Sequence, residues 1–533
     1  MEVKVDKYDG ILIGAGHNSL VCAAYMAKCG LKIAVFESEP EIGGAASTEE
    51  FLLPGYKSNM HANFFIGLED FPIVNDLELS NYGFKWVTPE VQHAALYRDR
   101  TSVVLHRDVD KSVSSISRIS KNDAESYRYL FERYAIELGP LLRSFLFHAP
   151  LAPEEIGNRI KGEKGKELLS FAKMSIGEAV DAYFEHPKMR TLFKLFAHAI
   201  TVEDEPGTGM FLPSLFSSQT TLGLSVGGAL ELPKSLEKLI RSYGGEVFRD
   251  CNVEEVYREN GNAGGVVLGN GTKIAASSFI ASGLNAPSSI RIVGEDAFPE
   301  EVNEKMNNWD WGFHSLMTLH LALSEAPKYL AEKYDPDVGK SFNIIFGADT
   351  DEEVSKNTEE RRSGKFPSMP MGNGACNSLF DSSYAPEGGH VAFWWPGAPY
   401  RIDGNSPEKW NEIKESVTQQ LIDIWSEYAP NLKSDTIRVA KLYSPNDLNI
   451  RNKNIVEGAV RMGAYTSNQL GINRPHPLLS GMRTPLEKFY LCGSSCHGGG
   501  LNGAPGYNAA NAICEDLKID KWWSQVPKPS LNS

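Results

Sequence analysis

The chain has 533 residues, of which 42% are hydrophobic and 23% are charged, a composition typical of globular proteins with two to four domains. Its formal net charge of −15 disfavours nucleic acid as a partner and gives no general attraction to anionic membranes. No apolar run approaches the roughly 18 residues that a membrane span needs, and residues 1–7 are too short for a targeting peptide. These features predict a cytoplasmic protein.

The seven cysteines are scattered and form no C-x-x-C pair. This pattern predicts reduced thiols, without a redox disulfide or a metal site.

The first fifty residues predict a β-turn-α-β unit. A short apolar strand ends at Ile13, Gly14 and Gly16 permit a tight turn, residues 20–29 favour a helix, and a second apolar strand leads to Glu37. Such a turn lets bare backbone approach a pyrophosphate at the positive end of the following helix. Glu37 lies 21 positions after Gly16, close to the offset of about 20 at which an acidic residue binds the adenosine ribose. Ser19 replaces the third glycine and is still small enough for close packing. The unit therefore predicts dinucleotide binding.

The segment after Gly43 and Gly44 predicts a strand at residues 51–53, a Pro-Gly turn and another strand at residues 58–65. His61 is the titratable ring of this segment and is a candidate for the active site, although a lone histidine is more often structural.

Residues 120–200 show apolar side chains at helical spacing, which predicts a helical cap over the substrate or a purely structural cap. Residues 226–300 contain strand patterns that we assign to the sheet of the nucleotide domain. The charged residues 351–365 predict a solvated loop, and residues 407–428 an amphipathic surface helix.

A second strand, glycine loop and helix occupy residues 489–517, with the helix predicted to begin near Asn508. Glycines at this density let backbone lie against a flat or charged group, and a helix start can face a group that becomes negative.

Together, these motifs resemble the phytoene-desaturase-like FAD oxidoreductases, and within them the group named pyridine nucleotide-disulphide oxidoreductase domain-containing protein 2. The segments that carry the resemblance are residues 14–18, 37–46, 54–56, 227–228, 371–373, 384–391, 490–493 and 503–510. The departures are Ser19 and the pair His497-Gly498, where relatives commonly have His-Pro, and residues 454–473 match only loosely.

The resemblance implies an α/β fold, with a glutathione-reductase-type FAD-binding domain built on a Rossmann-like parallel sheet and an interleaved α+β substrate domain with a helical cap. The implied FAD-binding domain comprises residues 1–90, 226–300 and 480–520. The implied substrate domain comprises residues 91–225 and 301–479, with the helical insertion at about 120–200, and residues 521–533 form a tail.

The resemblance also implies which residues contact FAD. The pyrophosphate is expected at Gly14, Gly16 and Ser19 with His17 and Asn18 in the same loop, and the ribose at Glu37. The ribityl side is expected at Gly43, Gly44 and Ala45, and the adenine at the backbone of Val253. The flavin ring is expected near Gly493, Gly503, Gly506 and Asn508.

The predicted activity is dehydrogenation or desaturation of a mainly apolar small molecule by hydride transfer to flavin N5, with His61, His497 and Tyr465 as candidate bases. With a single dinucleotide fingerprint, we expect reoxidation by oxygen, a quinone or a carrier protein. A redox-neutral isomerase or hydratase and a non-catalytic flavoprotein stay open, as do peripheral membrane contact and the oligomeric state.

Overall fold

The computed structural model describes residues 7–198, 200–218, 220–313 and 315–531. The outer limits predicted for the first segment and for the tail, residues 1 and 533, lie outside the described residues. The strands, in chain order, are β1 Lys7–Ile13, β2 Ile33–Phe36, β3 Thr48–Glu49, β4 Ser58–Asn59, β5 Phe65–Ile66, β6 Trp86–Val87, β7 Val91–Leu96, β8 Ser102–His106, β9 Leu222–Ser225, β10 Glu246–Phe248, β11 Val253–Glu259, β12 Asn262–Leu268, β13 Lys273–Ser282, β14 Ser315–Leu316, β15 Thr318–Leu323, β16 Asn343–Phe346, β17 Gly372–Cys376, β18 His390–Ala398, β19 Ile437–Tyr443 and β20 Phe489–Leu491.

The α-helices, in chain order, are α1 His17–Lys28, α2 Pro72–Asp76, α3 Val109–Ser117, α4 Lys121–Leu130, α5 Gly139–Leu146, α6 Pro153–Arg159, α7 Gly162–Ser170, α8 Ile176–Tyr183, α9 Pro187–His198, α10 Phe211–Phe216, α11 Glu231–Ser242, α12 Ala286–Arg291, α13 Glu300–Asn307, α14 Asp351–Arg362, α15 Lys409–Tyr428, α16 Pro445–Arg451 and α17 Ala504–Leu517. A π-helical segment, Phe131–Glu137, continues α4. Within the described residues no helix is long and apolar enough to span a bilayer.

One sheet joins strands from both ends of the chain. Its order is β10-β2-β1-β13-β12-β11, and β20 pairs with the carboxyl-terminal part of β13. The pairs β10/β2, β2/β1, β1/β13 and β13/β20 are parallel, whereas β11 and β12 add an antiparallel meander. All four residues of β2 are buried, as expected for a parallel strand covered on both faces by helices. The parallel ends of these strands therefore meet at one edge of the sheet.

A second, mostly antiparallel sheet has the order β19-β15-β18-β17-β16-β7-β8, and β14 also pairs with β18. Its core is separate from that of the first sheet and is rich in aromatic side chains, including the buried Trp394, Trp410 and Trp425. A third buried cluster joins the helices between residues 109 and 216, where the sequence predicted a helical cap.

The structure corrects two predicted elements. Residues 351–365 are not a loop, because α14 forms there. Thr350 and Glu353 make a capping box, the first turn is acidic and the last is basic, so local signals stabilise a helix that has almost no apolar face. Residues 51–53 are not a strand. Their backbone enters a turn, in which Tyr56 N donates to Leu53 O at 3.0 Å, and the strand that follows is only β4.

A third correction concerns the last helix, which begins at Ala504 rather than near Asn508. Pro505 suits the first turn because its missing N–H would have no helical partner there. The following tail packs back on the first helix, with Trp523 at 4.7 Å from the Tyr25 ring centroid and only 5% exposed. Tyr25 lies on α1, so the end of the chain covers its beginning.

Candidate functional site

The turn between β1 and α1 leaves open space beside its glycines. Gly14 has a φ of +83°, and the nearest atom to a Cβ added there is Leu284 Cδ2 at 3.8 Å. A Cβ on Gly16 would meet nothing within 4 Å. No side chain caps the start of α1, so its first N–H groups face this space without an acidic partner. The turn has the features of an anion site at a helix N-terminus.

Ser19 faces the sheet instead. A Cβ on Gly283 would lie 1.8 Å from Ser19 Oγ, so α1 and the end of β13 are in close contact at this point. Cys492 Sγ also lies 3.7 Å from Ser19 Oγ. Ser19 therefore does what the third glycine of such a motif does, which is to allow close packing of helix and sheet.

The Glu37 carboxylate lies against the glycine turn. It follows β2, and Oε2 accepts a hydrogen bond of 2.7 Å from Ala15 N while Oε1 accepts one of 3.0 Å from Glu39 N. Cys251 N donates to Glu37 O at 2.7 Å, which brings the start of β11, at Val253, beside the same carboxylate. The residues predicted for ribose and adenine are thus neighbours.

The third segment of the turn region is the loop after β2. Gly43 forms an isolated parallel bridge with Gly16, and its N–H donates to Ala15 O at 2.8 Å. A Cβ on Gly44 would lie 3.3 Å from Gly16 Cα, and Ala45 follows directly. These glycines allow two backbones to run side by side at the edge of the sheet.

The carboxyl-terminal glycine loop reaches the first turn. His17 Nε2 donates to Gly500 O at 2.8 Å, and Asn18 Nδ2 donates to Ser494 Oγ at 2.9 Å. A Cβ on Gly500 would meet nothing within 4 Å, whereas Asn18 Oδ1 is buried without a hydrogen-bond partner among the described residues. The two loops converge on one space that still offers an unsatisfied acceptor.

The other glycines predicted for this loop are closely packed against protein atoms. An added Cβ would lie 2.4 Å from Leu284 O at Gly493, 2.6 Å from Ile73 Cδ1 at Gly503 and 2.1 Å from Asn18 O at Gly506. Asn508 Nδ2 donates to Leu146 O at 2.9 Å. These four residues hold β20 and α17 against neighbouring segments, and so position the loop that contains Gly500.

The three candidate bases lie in two places. His61 is 5.8 Å from the Tyr443 ring, both of its ring nitrogens are buried without a partner in the described part of the chain, and burial, aided by Arg451, lowers its pKa to about 3. His497 and Tyr465 lie at the carboxyl-terminal loop. His497 Nε2 donates to Phe145 O at 2.8 Å, and burial lowers the pKa of His497. Tyr465 Oη donates a long bond of 3.4 Å to Gly499 O.

Sequence reasoning missed several side chains of this region. His320 and Tyr443 lie beside His61 on strands β15 and β19, and Arg461 and Arg474 lie beside Tyr465. The strand pattern could have indicated that His320 and Tyr443 are on adjacent strands, but no local signal joins either residue to His61. The arginines belong to segments without regular structure, where no periodicity guides a prediction.

Comparison with known proteins agrees with this geometry. The family model described as flavin containing amine oxidoreductase matches residues 20–514. The chain belongs to the flavin-containing amine oxidoreductase family. Members of this family bind FAD, so the α/β fold with a Rossmann-like FAD-binding sheet, the cofactor and the oxidoreductase class all agree with the sequence analysis.

Individual relatives cover most of the chain. A limonene dehydrogenase polypeptide of Castellaniella defragrans is 29% identical over 98% of this chain and 97% of that protein. Pyridine nucleotide-disulfide oxidoreductase domain-containing protein 2 of Rattus norvegicus is 27% identical over 96% and 94%. A chloroplastic prolycopene isomerase of Daucus carota is 23% identical over 81% and 68%. The resemblance to phytoene-desaturase-like enzymes is confirmed.

Among solved structures, cyclohexylamine oxidase from Brevibacterium oxydans matches with a TM-score of 0.57 at 14% identity, over 96% of this chain and 99% of that one. A likeness at this identity shows the shared fold alone.

The residues present fit FAD. Gly16 and Gly500 face open space from opposite ends of the sequence, the start of α1 is uncapped, and Asn18 Oδ1 has no partner within the described ranges. A dinucleotide supplies the pyrophosphate and the polar groups that such a space requires.

Proposed function

We propose that this protein is an FAD-dependent dehydrogenase or desaturase of a mainly apolar small molecule. The observation that carries the proposal is the convergence of two open glycine turns, at Gly16 and Gly500, joined by the hydrogen bond from His17 to Gly500 O. The name of the relative from Castellaniella defragrans, a limonene dehydrogenase, supports a hydrocarbon-like substrate. The neutral, buried rings of His61 and His320 also favour an apolar ligand over a charged one.

We propose one division of labour for the cofactor contacts. Gly14, Gly16, His17 and Asn18 bind the pyrophosphate, with Ser19 setting the helix against the sheet. Glu37 binds the ribose diol, and the backbone of Val253 meets the adenine. Gly43, Gly44 and Ala45 follow the ribityl side, whereas Gly493, Gly503, Gly506 and Asn508 fix the loop that faces the flavin ring. The contacts of Glu37 with Ala15 N and of His17 with Gly500 O support this order along the site.

The domain division goes with these contacts. We propose that residues 1–90, 226–300 and 480–520 form the FAD-binding domain and that residues 91–225 and 301–479 form the substrate domain, with residues 521–533 as a tail. The membership of β1, β2, β10–β13 and β20 in one sheet supports this division.

Bound FAD supplies a two-electron acceptor that takes hydride at N5. The side chains of this chain determine where the accompanying proton goes. A carbonyl can only accept, so the bond to Phe145 O fixes the proton of neutral His497 on Nε2 and leaves Nδ1 with a lone pair. His61, with a pKa of about 3, accepts a proton weakly. We therefore propose His497 as the first candidate base, ahead of His61 and Tyr465.

The proposed electron acceptor is oxygen, a quinone or a carrier protein. A nicotinamide cofactor would need a second binding motif, and the sequence contains a single dinucleotide fingerprint. Peripheral contact with a membrane is part of the proposal only as a route for an apolar substrate to reach the site.

The test is anaerobic mixing of the holoenzyme with monocyclic terpenes, polyenes and, as a family comparison, primary amines. Bleaching of the flavin with formation of a dehydrogenated product supports the proposal. Product formation without net bleaching indicates a redox-neutral isomerase or hydratase and contradicts it. Holoenzyme that is bleached only by amines has the wrong substrate class for this proposal.

A further inference from the structure

A small pocket of about 150 Å³ lies between the helical cap and residues 459–466. Ile200 and Thr201 form its cap side, and Trp311 and Phe313 give it an apolar wall. Arg461 and Tyr465 line the opposite side. Tyr465 separates this pocket from the carboxyl-terminal glycine loop, because its hydroxyl donates to Gly499 O at 3.4 Å. The pocket is therefore one side chain away from the proposed flavin site.

The guanidinium of Arg461 has no carboxylate partner in the part of the chain that the structure describes. Its Nε is buried without a hydrogen bond, and burial lowers the pKa of Arg461. The Tyr465 ring, with its centroid 5.9 Å away, is its aromatic neighbour. An arginine does not lose its proton under these conditions, so a positive charge stays in the pocket wall without a counter-ion.

Arg474, the neighbouring arginine, differs in its contacts. Nη1 donates to Ala464 O and Gln469 O, each at 3.3 Å, and Nη2 donates to Arg461 O at 2.6 Å and to Ser494 O at 3.4 Å. Its guanidinium also lies 4.5 Å from the Tyr465 ring centroid. Arg474 is thus a structural residue that fixes the backbone of Arg461, which leaves the Arg461 side chain directed to another role.

Two carboxylates also line the pocket, and neither neutralises Arg461. Asp310 Oδ1 accepts from Gly312 N at 2.8 Å. Burial and the neighbouring Asp204 raise the pKa of Glu205. Neither carboxylate forms an ion pair with Arg461 among the residues with described positions.

We propose that this pocket binds the carboxylate end of an amphipathic ligand, with Arg461 forming the ion pair and the walls at Trp311 and Phe313 contacting the apolar chain. A planar guanidinium matches a carboxylate with two parallel hydrogen bonds, and an ion pair that excludes water removes the unmatched charge. The proposal names the substrate end group of the proposed oxidoreductase and so rests on the proposed function. Its test measures binding rather than turnover.

The experiment is calorimetric titration of the holoenzyme with octanoate, octan-1-ol and octylamine, which share a chain and differ in their end group. We expect octanoate to bind at least about tenfold more tightly than the other two probes. Arg461→Met, which keeps the length of the side chain and removes its charge, is expected to lose about tenfold or more in octanoate affinity. Arg461→Lys is expected to recover part of this loss. The matched control is Arg258→Met, which removes an exposed arginine of β11 paired with Asp296.

Flavin content and a melting curve show whether Arg461→Met is folded. Where that variant does not fold, Ile200→Trp fills the pocket from the cap side and is expected to weaken octanoate binding to a similar extent. Equal octanoate affinity in wild type and in the folded pocket variant overturns the proposal, as does octan-1-ol binding as tightly as octanoate. Arg461-dependent octanoate binding in an enzyme whose flavin no substrate reduces supports this proposal and contradicts only the proposed function.

Discussion

Glu37 belongs to two interactions at once, because its carboxylate accepts backbone N–H groups from both the glycine turn and the loop after β2. Sequence spacing was sufficient to predict its position, since Gly16 and Glu37 lie in one β-turn-α-β unit. Arg461 could not be predicted in this way. Its isolation depends on cap residues far away in the chain, as shown by Thr201 and Tyr465, which are 264 positions apart and in contact.

Glu37→Ala should weaken FAD binding by about 1–3 kcal/mol, on the order of 5- to 150-fold, because a charged hydrogen bond to the ribose is lost. Glu37→Gln, which keeps one acceptor and loses the charge, should lose less. Apoprotein reconstituted with FAD and followed by flavin fluorescence gives both affinities. An unchanged affinity in Glu37→Ala would refute the ribose assignment.

His320 should make the fold less stable in acid. It is 1% exposed on β15, and burial, with His61 nearby, lowers its pKa to about 3. At pH 7 the ring is neutral in both states, but below about pH 6.5 the unfolded chain takes up a proton that the folded chain refuses. The stability contribution is therefore lost as the pH falls from about 6.5 towards 3 and amounts to about 2 kcal/mol at pH 5.

Urea unfolding at pH 7 and pH 5 measures this loss. The free energy of unfolding of His320→Phe should fall by about 2 kcal/mol less than that of wild type between these two pH values. The same pH dependence in both proteins would show that His320 is protonated in the folded state.

At the scale of elements, helix α17 owes its position to glycine. Sequence composition predicted the helix and its glycine loop, yet it suggested a ligand for Gly506 where the structure shows α1 in close contact. Glycines that face a cofactor and glycines that face another helix look the same in a sequence. For α14 the opposite error arose, because charge suggested a loop although the Thr350–Glu353 capping box was visible in the sequence.

Gly506→Ala should destabilise the protein by about 1–3 kcal/mol, because its Cβ would lie 2.1 Å from Asn18 O and would push α17 away from α1. The matched control is Gly157→Ala on α6, where an added Cβ meets nothing within 4 Å and helix propensity favours alanine. Thermal unfolding compares the two variants. A Gly506→Ala protein as stable as wild type would mean that the two helices can separate at no cost.

For the molecule as a whole, the sequence predicted the α/β class, the cofactor and the family, because these depend on local motifs at both ends of the chain. The substrate side was less predictable. Its sheet consists of short strands from residues 91–443, and its ligand contacts depend on which strands become neighbours.

One prediction concerns electron flow. NADH or NADPH, mixed anaerobically with the holoenzyme, should leave the flavin oxidised over the time in which a true substrate reduces it, because the sequence has one dinucleotide fingerprint and FAD occupies it. Absorbance in a stopped-flow instrument measures both rates. Rapid stoichiometric reduction by either nucleotide would require a nicotinamide site and contradict the proposed acceptors.

The bond between His17 and Gly500 spans 483 positions, so the two halves of the cofactor cradle are made at the start and near the end of translation. A nascent chain still on the ribosome has the first half alone. Flavin capture must then wait for release of the finished polypeptide, and any premature stop before β20 leaves a protein that is apoflavoprotein from birth.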